Sequence, residues 1–379
     1  MRHVNHRLVL DTFCEVYNML EPYAVDSFYD IRQHTMRSGC VYVLGRQQFI
    51  ENAVMLKELI EKGDNWFVLS NPHEGSETMK YNVMRFGLSG HVLNGQLLLL
   101  SGGDMEPGWT NFVYENFITK IFDMPENFEA IQRTSEIFQN LDKPYKFLFL
   151  NGRGRSHRKY LLERWDLNGL LNQTLWSNLA KSVLINSKAI KLEHNGINLM
   201  RRPREYHFLD KRYEIPRYMT TETDREYNDY SAKLNLFNNE WGDVYINPDA
   251  YIATYFSVVT ETVFEYPYSF RTEKIWKPVG MGHPWIAVAN QGFYRDIKNL
   301  GFKTFSHLVD ESFDSIESSQ DRIERIADIV EDLCRQDLSQ FLLAAQDVCK
   351  YNQQHMLELV PQVRARFPEQ FFQFLDQNT

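Results

Sequence analysis

The chain has 379 residues, of which 43% are hydrophobic and 24% charged, with a formal net charge of −9 and a pI of about 5.7. This length exceeds what one ordinary core supports, so we expect two domains. The acidic balance argues against a broadly basic nucleic-acid surface. Four scattered cysteines show neither a disulfide framework nor zinc-ligand spacing. Because neither a signal peptide nor a membrane span is recognisable, we predict a cytoplasmic protein.

The amino-terminal half alternates short apolar runs with segments of helical periodicity. Residues 1–38 have an irregular pattern, with only a helix and a lead-in expected there. After them we predict strands at 40–45, 66–69 and 96–100, and helices at 49–62, 76–86 and 110–121. This alternation is typical of an α/β domain with a parallel sheet.

The loops after these strands carry candidate catalytic carboxylates. Ligands of α/β proteins bind at the carboxyl ends of parallel strands. Deprotonating an acceptor hydroxyl requires a carboxylate or an imidazole within hydrogen-bond reach. We predict Asp104 or Glu106 as the general base, with Glu74 and His73 as the next candidates. The alternative for each of these residues is an ordinary role in a turn or loop. The glycines of these loops would let a ligand approach the backbone closely.

A basic turn opens the second half of the chain. After the polar residues 123–145, which we interpret as a linker, a predicted strand at 145–150 precedes the turn and a helix. A strand, a glycine-containing basic turn and a helix start are the parts of a phosphate cradle. Arginine binds phosphate with two parallel hydrogen bonds. The candidate phosphate-binding residues are Arg153, Arg155 and Arg158. Arg158 is favoured because it lies on the helix, and the alternative is a solvated basic turn.

The stretch 251–305 predicts a strand, a loop, a helix, a second strand and a second helix. The apolar run 251–259 suits a buried strand, and Ser269 or Thr272 can cap a helix that begins near Glu273. The loop that follows this strand lies at its carboxyl end, where ligands of α/β sheets bind. Its cationic side chains and the start of the next helix are suited to bind a diphosphate. The alternative is a solvated charged helix face. The predicted donor-binding residues here are Glu261, Tyr268, Arg271, Thr272, Glu273, Lys274 and Lys277.

These residues also carry a resemblance to a known family. Glu261, the run Phe270-Arg271-Thr272-Glu273-Lys274 and the run Gly282-His283-Pro284 resemble the donor-binding segment of the fucosyltransferase family. The same segment is similar to glycosyltransferase-like proteins of tailed phages and their hosts. The resemblance implies an inverting sugar transfer and an arginine of the basic turn on the diphosphate. Pro278 inside the helix and an unrecognisable amino-terminal half depart from the family pattern.

No Asp-x-Asp pair, which commonly holds a metal on the diphosphate in single-domain glycosyltransferases, occurs in the sequence. With two α/β domains and a cationic loop, this predicts the metal-independent GT-B architecture, in which cations and a helix dipole stabilise the leaving group. We expect two Rossmann-like domains facing a central cleft: an acceptor domain at 1–135 and a donor domain at 136–345. Carboxyl-terminal helices at 346–379 often cross back to the first domain in that architecture.

The predicted function is therefore sugar transfer from a nucleotide-diphosphate sugar to an acceptor hydroxyl, without a cofactor. The acceptor stays open between a glycan and a hydroxymethylated pyrimidine flipped out of phage DNA. A basic face would favour DNA, and it would consist of Arg153, Arg155, Arg201, Arg202 and Arg204. Two alternatives from other classes are a non-catalytic module that binds nucleotide sugars and a different Rossmann-like enzyme. The sequence does not define the oligomeric state.

Overall fold

A computed structural model describes residues 6–123, 125–151, 155–178, 193–194 and 246–379. Its contacts divide the chain into two compact units. The first consists of Met1–Thr119, Tyr268–Arg271 and Leu359–Thr379, and the second of Lys120–Pro267 and Thr272–Glu358. The amino-terminal segment of the first unit thus ends at Thr119, earlier than the predicted boundary at 135. Residues 268–271 join the first unit although both flanking segments belong to the second.

The first unit contains a six-stranded sheet in which all neighbouring strands are parallel. The strands are β1 (Arg7–Asp11), β2 (Ala24–Phe28), β3 (Cys40–Gly45), β4 (Trp66–Asn71), β5 (Leu97–Ser101) and β6 (Asn111–Val113). They are arranged in the order β2-β1-β3-β4-β5-β6. Because the order reverses between β1 and β3, the topological switch point, where α/β sheets bind ligands, lies there.

Helices and the carboxyl-terminal segment cover the two faces of this sheet. The helices of the unit are Tyr17–Leu20, Arg46–Glu51, Ala53–Lys62, Ser76–Arg85, Ser89–Leu93 and Asn116–Lys120, the last of which ends across the unit boundary. Tyr42, Phe67 and Leu69 pack into the core of one face. On the opposite face, Phe367 and Phe371 pack among the alternate strand residues. Strands buried on both faces explain why their sequences are nearly continuous apolar runs.

Two predictions for the amino-terminal half are wrong. Residues 1–38 contain β1 and β2, and the helix predicted at 110–121 is β6 followed by the helix Asn116–Lys120. β6 has three residues, and β1 and β2 include charged residues, so none of them is the uninterrupted apolar run that predicts a buried strand. In β1, four of the five residues are buried, so tertiary packing rather than local pattern defines the strand.

The second unit contains a five-stranded sheet in the order β11-β10-β7-β8-β9. The strands are β7 (Tyr145–Asn151), β8 (Leu175–Asn178), β9 (Glu193–His194), β10 (Thr254–Thr260) and β11 (Trp285–Val288). All neighbouring pairs are parallel except β8 and β9, which are antiparallel. From β7 the chain proceeds to β8 on one side and returns to β10 on the other. The switch point of this sheet therefore lies between β7 and β10.

In the described part of the second unit, the α-helices are Pro125–Gln132, Thr134–Gln139, Ser156–Leu167, Pro248–Ile252, Glu273–Gly280, Phe293–Asn299 and Ser319–Leu333. A final helix, Leu338–Asn378, belongs to this unit up to Glu358 and to the first unit from Leu359. Among the helices in the described part of the chain, none has the length and hydrophobicity that a membrane crossing requires. The predicted α/β class with parallel-stranded sheets is confirmed for both units.

Two boundaries of the second unit differ from the sequence-based expectation. The predicted linker 123–145 carries two helices, and the strand predicted from residue 251 begins at Thr254, after a short helix. The final helix continues through Pro361 and Pro368, in the part that belongs to the first unit. Proline removes one backbone hydrogen bond from a helix, but here the buried side chains of Phe367 and Phe371 hold the last turns against the sheet.

Candidate functional site

The switch point of the second unit brings two loops and two helix starts together. β7 ends at Asn151 and β10 at Thr260, and the Thr260 hydroxyl donates a hydrogen bond to Asn151 Oδ1 at 2.9 Å. The helix Ser156–Leu167 begins shortly after β7, and the helix Glu273–Gly280 begins at the end of the loop that follows β10. This edge is where ligands of open α/β sheets bind.

Glu261 is the buried centre of this edge. It follows β10, and its carboxylate accepts hydrogen bonds from the Thr272 hydroxyl at 2.6 Å and from the amides of Thr262 and Thr272 at 3.2 Å each. Burial raises the pKa of Glu261, and the nearby ammonium of Lys274 offsets only part of this rise. The carboxylate therefore connects the end of β10 to the start of the helix Glu273–Gly280.

Thr272 is the N-cap of that helix and links it to both charged neighbours. Its hydroxyl accepts from the Lys274 amide at 3.3 Å and from Lys274 Nζ at 3.1 Å. Lys274 Nζ also donates to Glu273 Oε1 at 2.6 Å. Burial acts to raise the pKa of Glu273, but Lys274 and Lys277 outweigh it and lower that pKa. The environments of Glu261 and Glu273 thus shift their two pKa values in opposite directions, a pattern common at functional sites.

Arg158 and His157 approach Glu261 from the helix after β7. Arg158 Nη2 donates to the carbonyls of Thr260 at 2.9 Å and of Glu261 at 3.3 Å. His157 Nε2 contacts the Glu261 carbonyl at 3.1 Å, and since a carbonyl only accepts, this nitrogen carries the proton. Burial, with Arg158 nearby, lowers the pKa of His157 to about 3, so the ring is neutral at physiological pH.

Phe264 fixes the loop that begins at Glu261. Its ring stacks on His157 at 5.0 Å between centroids, and the guanidinium of Arg322 lies over it at 4.6 Å. Arg322 also donates to the Phe264 carbonyl at 2.5 Å. A cation over an aromatic face in a buried setting contributes about 1–2 kcal/mol. The loop is therefore held from both sides before any ligand arrives.

The edge has an excess of positive charge. Three cationic side chains, Arg158, Lys274 and Lys277, lie with two carboxyl groups, Glu261 and Glu273, and two helix amino termini point to the same region. Helix amino termini carry partial positive charge and exposed N–H donors. The side chain of Lys274 keeps 28% of its surface exposed, so its ammonium can reach a ligand. The arrangement suits an anion such as a phosphate.

The predicted donor-binding residues divide into three groups. Arg158, Glu261, Thr272, Glu273 and Lys274 lie together as described above, and Lys277 is half-buried one turn further along the helix. Arg155 is the N-cap residue of the helix Ser156–Leu167 and is half-buried. Arg153 lies outside the described residues, as do Arg201, Arg202 and Arg204.

Tyr268 and Arg271 form the third group and belong to the first unit. Arg271 is buried, and its Nε donates to Glu115 Oε1 at 2.8 Å. Its Nη2 also pairs with Glu115, and Nη1 lies 3.5 Å from Asp104 Oδ2. The structure therefore places this arginine with the predicted catalytic carboxylate Asp104.

The three predicted catalytic carboxylates have different surroundings. Glu106 accepts from Lys80 Nζ at 2.5 Å, and Glu74 accepts from the Thr78 hydroxyl at 3.0 Å. Asp104 follows β5, and 41% of its side chain is exposed while it faces Arg271. The Asp104 side chain is more exposed than that of Glu106, at 27%, and it lies at the carboxyl edge of the first sheet. It stays the best candidate for a general base.

Glycines of the first unit accommodate the chain's own Phe270 rather than a ligand. Phe270 forms an isolated antiparallel bridge with Gly103, and the Asp104 amide donates to the Ser269 carbonyl at 2.9 Å. A Cβ at Gly75 or at Gly102 would come within 2.9 Å of Phe270 side-chain atoms. The prediction that these glycines admit a ligand is therefore wrong for the space that Phe270 occupies.

Replacing Gly102 with alanine is expected to lower the free energy of unfolding by about 2–3 kcal/mol, because the new methyl group would overlap the Pro72 carbonyl oxygen as well as Phe270. Gly90→Ala is the matched control, since its Cβ would have no atom of the described residues within 4 Å. Denaturant unfolding of both variants measures the difference. Equal stability of the two would contradict the close packing of residues 269–270.

Removing the Thr272 hydroxyl is expected to cost about 1–3 kcal/mol, because Thr272→Val deletes a helix cap and the shortest hydrogen bond to the buried Glu261. Thr272→Ser keeps the hydroxyl and should lose much less stability. Unfolding midpoints of the two variants provide the comparison. If valine and serine were equally tolerated, the hydroxyl would not link Glu261 to the helix.

Three residues at these edges are absent from the sequence-based predictions. Asp11 ends β1 and Glu115 follows β6, and neither strand is recognisable in the sequence. His157 lies within the predicted basic turn, where its neighbours suggested phosphate contacts rather than a buried neutral ring. The only signal for Asp11 is its position after the short apolar run of β1.

The fold and this edge define an α/β protein with a cationic site at the switch point of its second sheet. Within the described residues, no group of three or more histidine, cysteine, aspartate or glutamate side chains is placed to hold a metal ion. Comparison with known proteins gives no family: no protein-family model, no curated protein and no solved structure matches this chain. The similarity to fucosyltransferases therefore stays a prediction.

Proposed function

We propose that this protein is a metal-independent glycosyltransferase of the GT-B type that uses a nucleotide-diphosphate sugar. The observation that carries the proposal is the meeting of Arg158, Glu261 and Lys274 at the switch point of the second sheet, between two helix starts. A diphosphate is negatively charged and so complements the excess positive charge of this edge. Rossmann-like sheets bind nucleotides at this position.

The residues around Glu261 have distinct roles in this proposal. Lys274 and the start of the helix Glu273–Gly280 neutralise the departing diphosphate, where charge develops in the transition state. Arg158 holds the end of β10 through two backbone carbonyls and adds positive charge without being exposed. Glu273, ionised because its pKa is lowered, accepts hydrogen bonds from hydroxyl groups of the ribose or of the transferred sugar.

In the first unit, Asp104 is the proposed general base for the acceptor hydroxyl. Arg271 Nη1 lies 3.5 Å from its Oδ2, and 41% of the Asp104 side chain is exposed, so an acceptor can reach it. Sugar inversion follows from the fucosyltransferase resemblance only. The four cysteines are free and buried, which supports a reducing compartment such as the cytoplasm.

Thermal unfolding with a panel of nucleotide sugars tests this proposal. A ligand at 100 times its Kd stabilises the native state by about 2.7 kcal/mol, which for a unit of this size raises the Tm by about 5–10 °C. We expect such a shift with at least one nucleotide-diphosphate sugar and with its free nucleoside diphosphate, both with EDTA present. No shift with any member of the panel would contradict the proposal.

A second measurement separates an enzyme from a binding module. Slow hydrolysis of the stabilising nucleotide sugar, detected as release of the nucleoside diphosphate, is expected of a transferase even without its acceptor. Stabilisation without any release, and without transfer to any glycan, would identify a non-catalytic module. Modified DNA stays the second acceptor hypothesis, because the acidic net charge disfavours a nucleic-acid surface.

A further inference from the structure

Two exposed aromatic rings stand side by side at the carboxyl edge of the first sheet. Phe13 follows β1 and Tyr29 follows β2, with 66% and 72% of their surfaces exposed. Their centroids are 5.8 Å apart and their planes are inclined by 65°. The pair lies beside the switch point between β1 and β3, which is the ligand-binding position in this class of sheet.

Hydrogen-bonded turns hold both rings in place. The buried carboxylate of Asp11 accepts from the Phe13 amide at 3.0 Å and from the Gly45 amide at 2.9 Å. The Thr12 amide donates to the Phe28 carbonyl at 3.0 Å and so joins the ends of β1 and β2. Because the backbone beneath the rings is fixed, a ligand that stacks on them pays little of the usual ordering entropy.

Local charge defines which ligands suit the rings. Within three residues of Phe13 or Tyr29 the sequence has four acidic side chains and one basic side chain. The acids are Asp11, Glu15, Asp26 and Asp30. Asp11 is buried, Asp26 pairs with Arg37 and Asp30 pairs with Arg32, each pair at 2.6 Å. These segments therefore have no surplus of positive charge, which disfavours a phosphate-rich ligand such as a nucleic acid, whose binding requires cationic contacts. Paired charges of this kind suit a neutral ligand.

We propose that Phe13 and Tyr29 form a stacking platform for a pyranose ring of a neutral glycan. The C–H face of a sugar is slightly positive and apolar, which matches the negative face of an aromatic ring. Exposed aromatic rings at a ligand-binding edge, with acids around them, combine the apolar and polar contacts that such a ring requires. The role of this glycan as the acceptor rests on the proposed function, whereas its binding does not.

A printed array of neutral and acidic glycans, followed by calorimetric titration of the best neutral glycan, tests the platform with the full-length protein. We expect Phe13→Ala and Tyr29→Ala each to weaken the affinity for that glycan at least about tenfold, because each substitution removes an aromatic surface that anchors the sugar. Tyr81→Ala is the control, because Tyr81 is a 62% exposed aromatic residue on the helix Ser76–Arg85 of the same unit. It should leave the affinity unchanged.

Three outcomes would overturn the platform: no neutral glycan binds, binding is confined to acidic glycans or to a single-stranded oligothymidylate, or the affinity is equal in wild type, Phe13→Ala and Tyr29→Ala. Melting temperatures of the three variants verify that they are folded. Titration without a nucleotide sugar separates this inference from the transferase. If glycan binding depends on the rings and no nucleotide sugar binds, the platform is supported and the proposed function is contradicted. If a nucleotide sugar binds and glycan binding does not depend on the rings, the proposed function is supported and the platform is contradicted.

Discussion

Replacing Lys274 with alanine is expected to abolish nucleotide-sugar binding and to reduce any transfer or hydrolysis by at least about 10²-fold. Lys274 Nζ is the partly exposed cation at the start of the helix Glu273–Gly280, where it contacts Thr272 and Glu273. Removing one preorganised charge contact to a leaving group typically costs about 3–4 kcal/mol of transition-state stabilisation. The buried Glu273 would also lose its closest positive partner.

Titration calorimetry with the free nucleoside diphosphate, and release of that product from the nucleotide sugar, measure this effect. Lys298→Ala is the control, because Lys298 belongs to the same unit and forms a more exposed ion pair with Glu311. Folding of Lys274→Ala should persist, since Lys277 still faces Glu273. Unchanged nucleotide affinity in a folded Lys274→Ala protein would remove the basis of the proposed donor site.

Acid is expected to destabilise the second unit through two buried histidines. Burial lowers the pKa values of His157 and His283 to about 3 each, whereas an unfolded histidine titrates near 6.5. Groups with a lowered native pKa contribute stability above their unfolded pKa and lose it as the pH falls. At pH 4.5 each histidine therefore costs roughly 2–3 kcal/mol relative to pH 7, or about 5 kcal/mol together.

Denaturant unfolding at pH 7 and pH 4.5 measures the difference. His283 contacts the Ser257 hydroxyl at 3.0 Å and donates to the Thr254 carbonyl at 3.0 Å, so His283→Gln keeps polar groups there without the titration. This variant should lose about half of the pH dependence, while His307→Gln at an exposed position should retain all of it. Glu261 acts in the opposite direction, because protonating a carboxyl whose native pKa is raised stabilises the folded state. Equal pH dependence in His283→Gln and wild type would exclude His283 as its source.

The sequence alone predicts the part of the candidate site that is formed by one strand, one loop and one helix. The sequence predicts Thr272 as a cap of the helix that starts at Glu273, and the structure has this arrangement with Lys274 in the same turn. Glu261 is found next to them because it follows β10 directly, and parallel strands end at one edge. Neighbouring positions in the sequence are sufficient for this cluster.

The sequence does not reveal where Arg271 and Phe270 lie. Arg271 and Phe270 precede Lys274 by three and four residues, yet they pack with Gly102, Gly103 and Glu115 of the first unit. A contact between positions more than 150 residues apart depends on tertiary packing, which periodicity does not encode. β1 and its terminal Asp11 are not recognisable in the sequence for a similar reason, because the pairing of β1 with β2 and β3, and not a local pattern, defines this strand.

The segment Tyr268–Arg271 has a practical consequence for dissecting this protein. The first unit is assembled from three separate stretches of chain, Met1–Thr119, Tyr268–Arg271 and Leu359–Thr379. A fragment cut after Thr119 would lack the phenylalanine that fills the glycine surface and the terminal helix residues that cover one sheet face. Neither unit is therefore a continuous segment that a single proteolytic cleavage can release. Truncated versions should aggregate, so they are unsuitable for measuring how one unit binds one substrate.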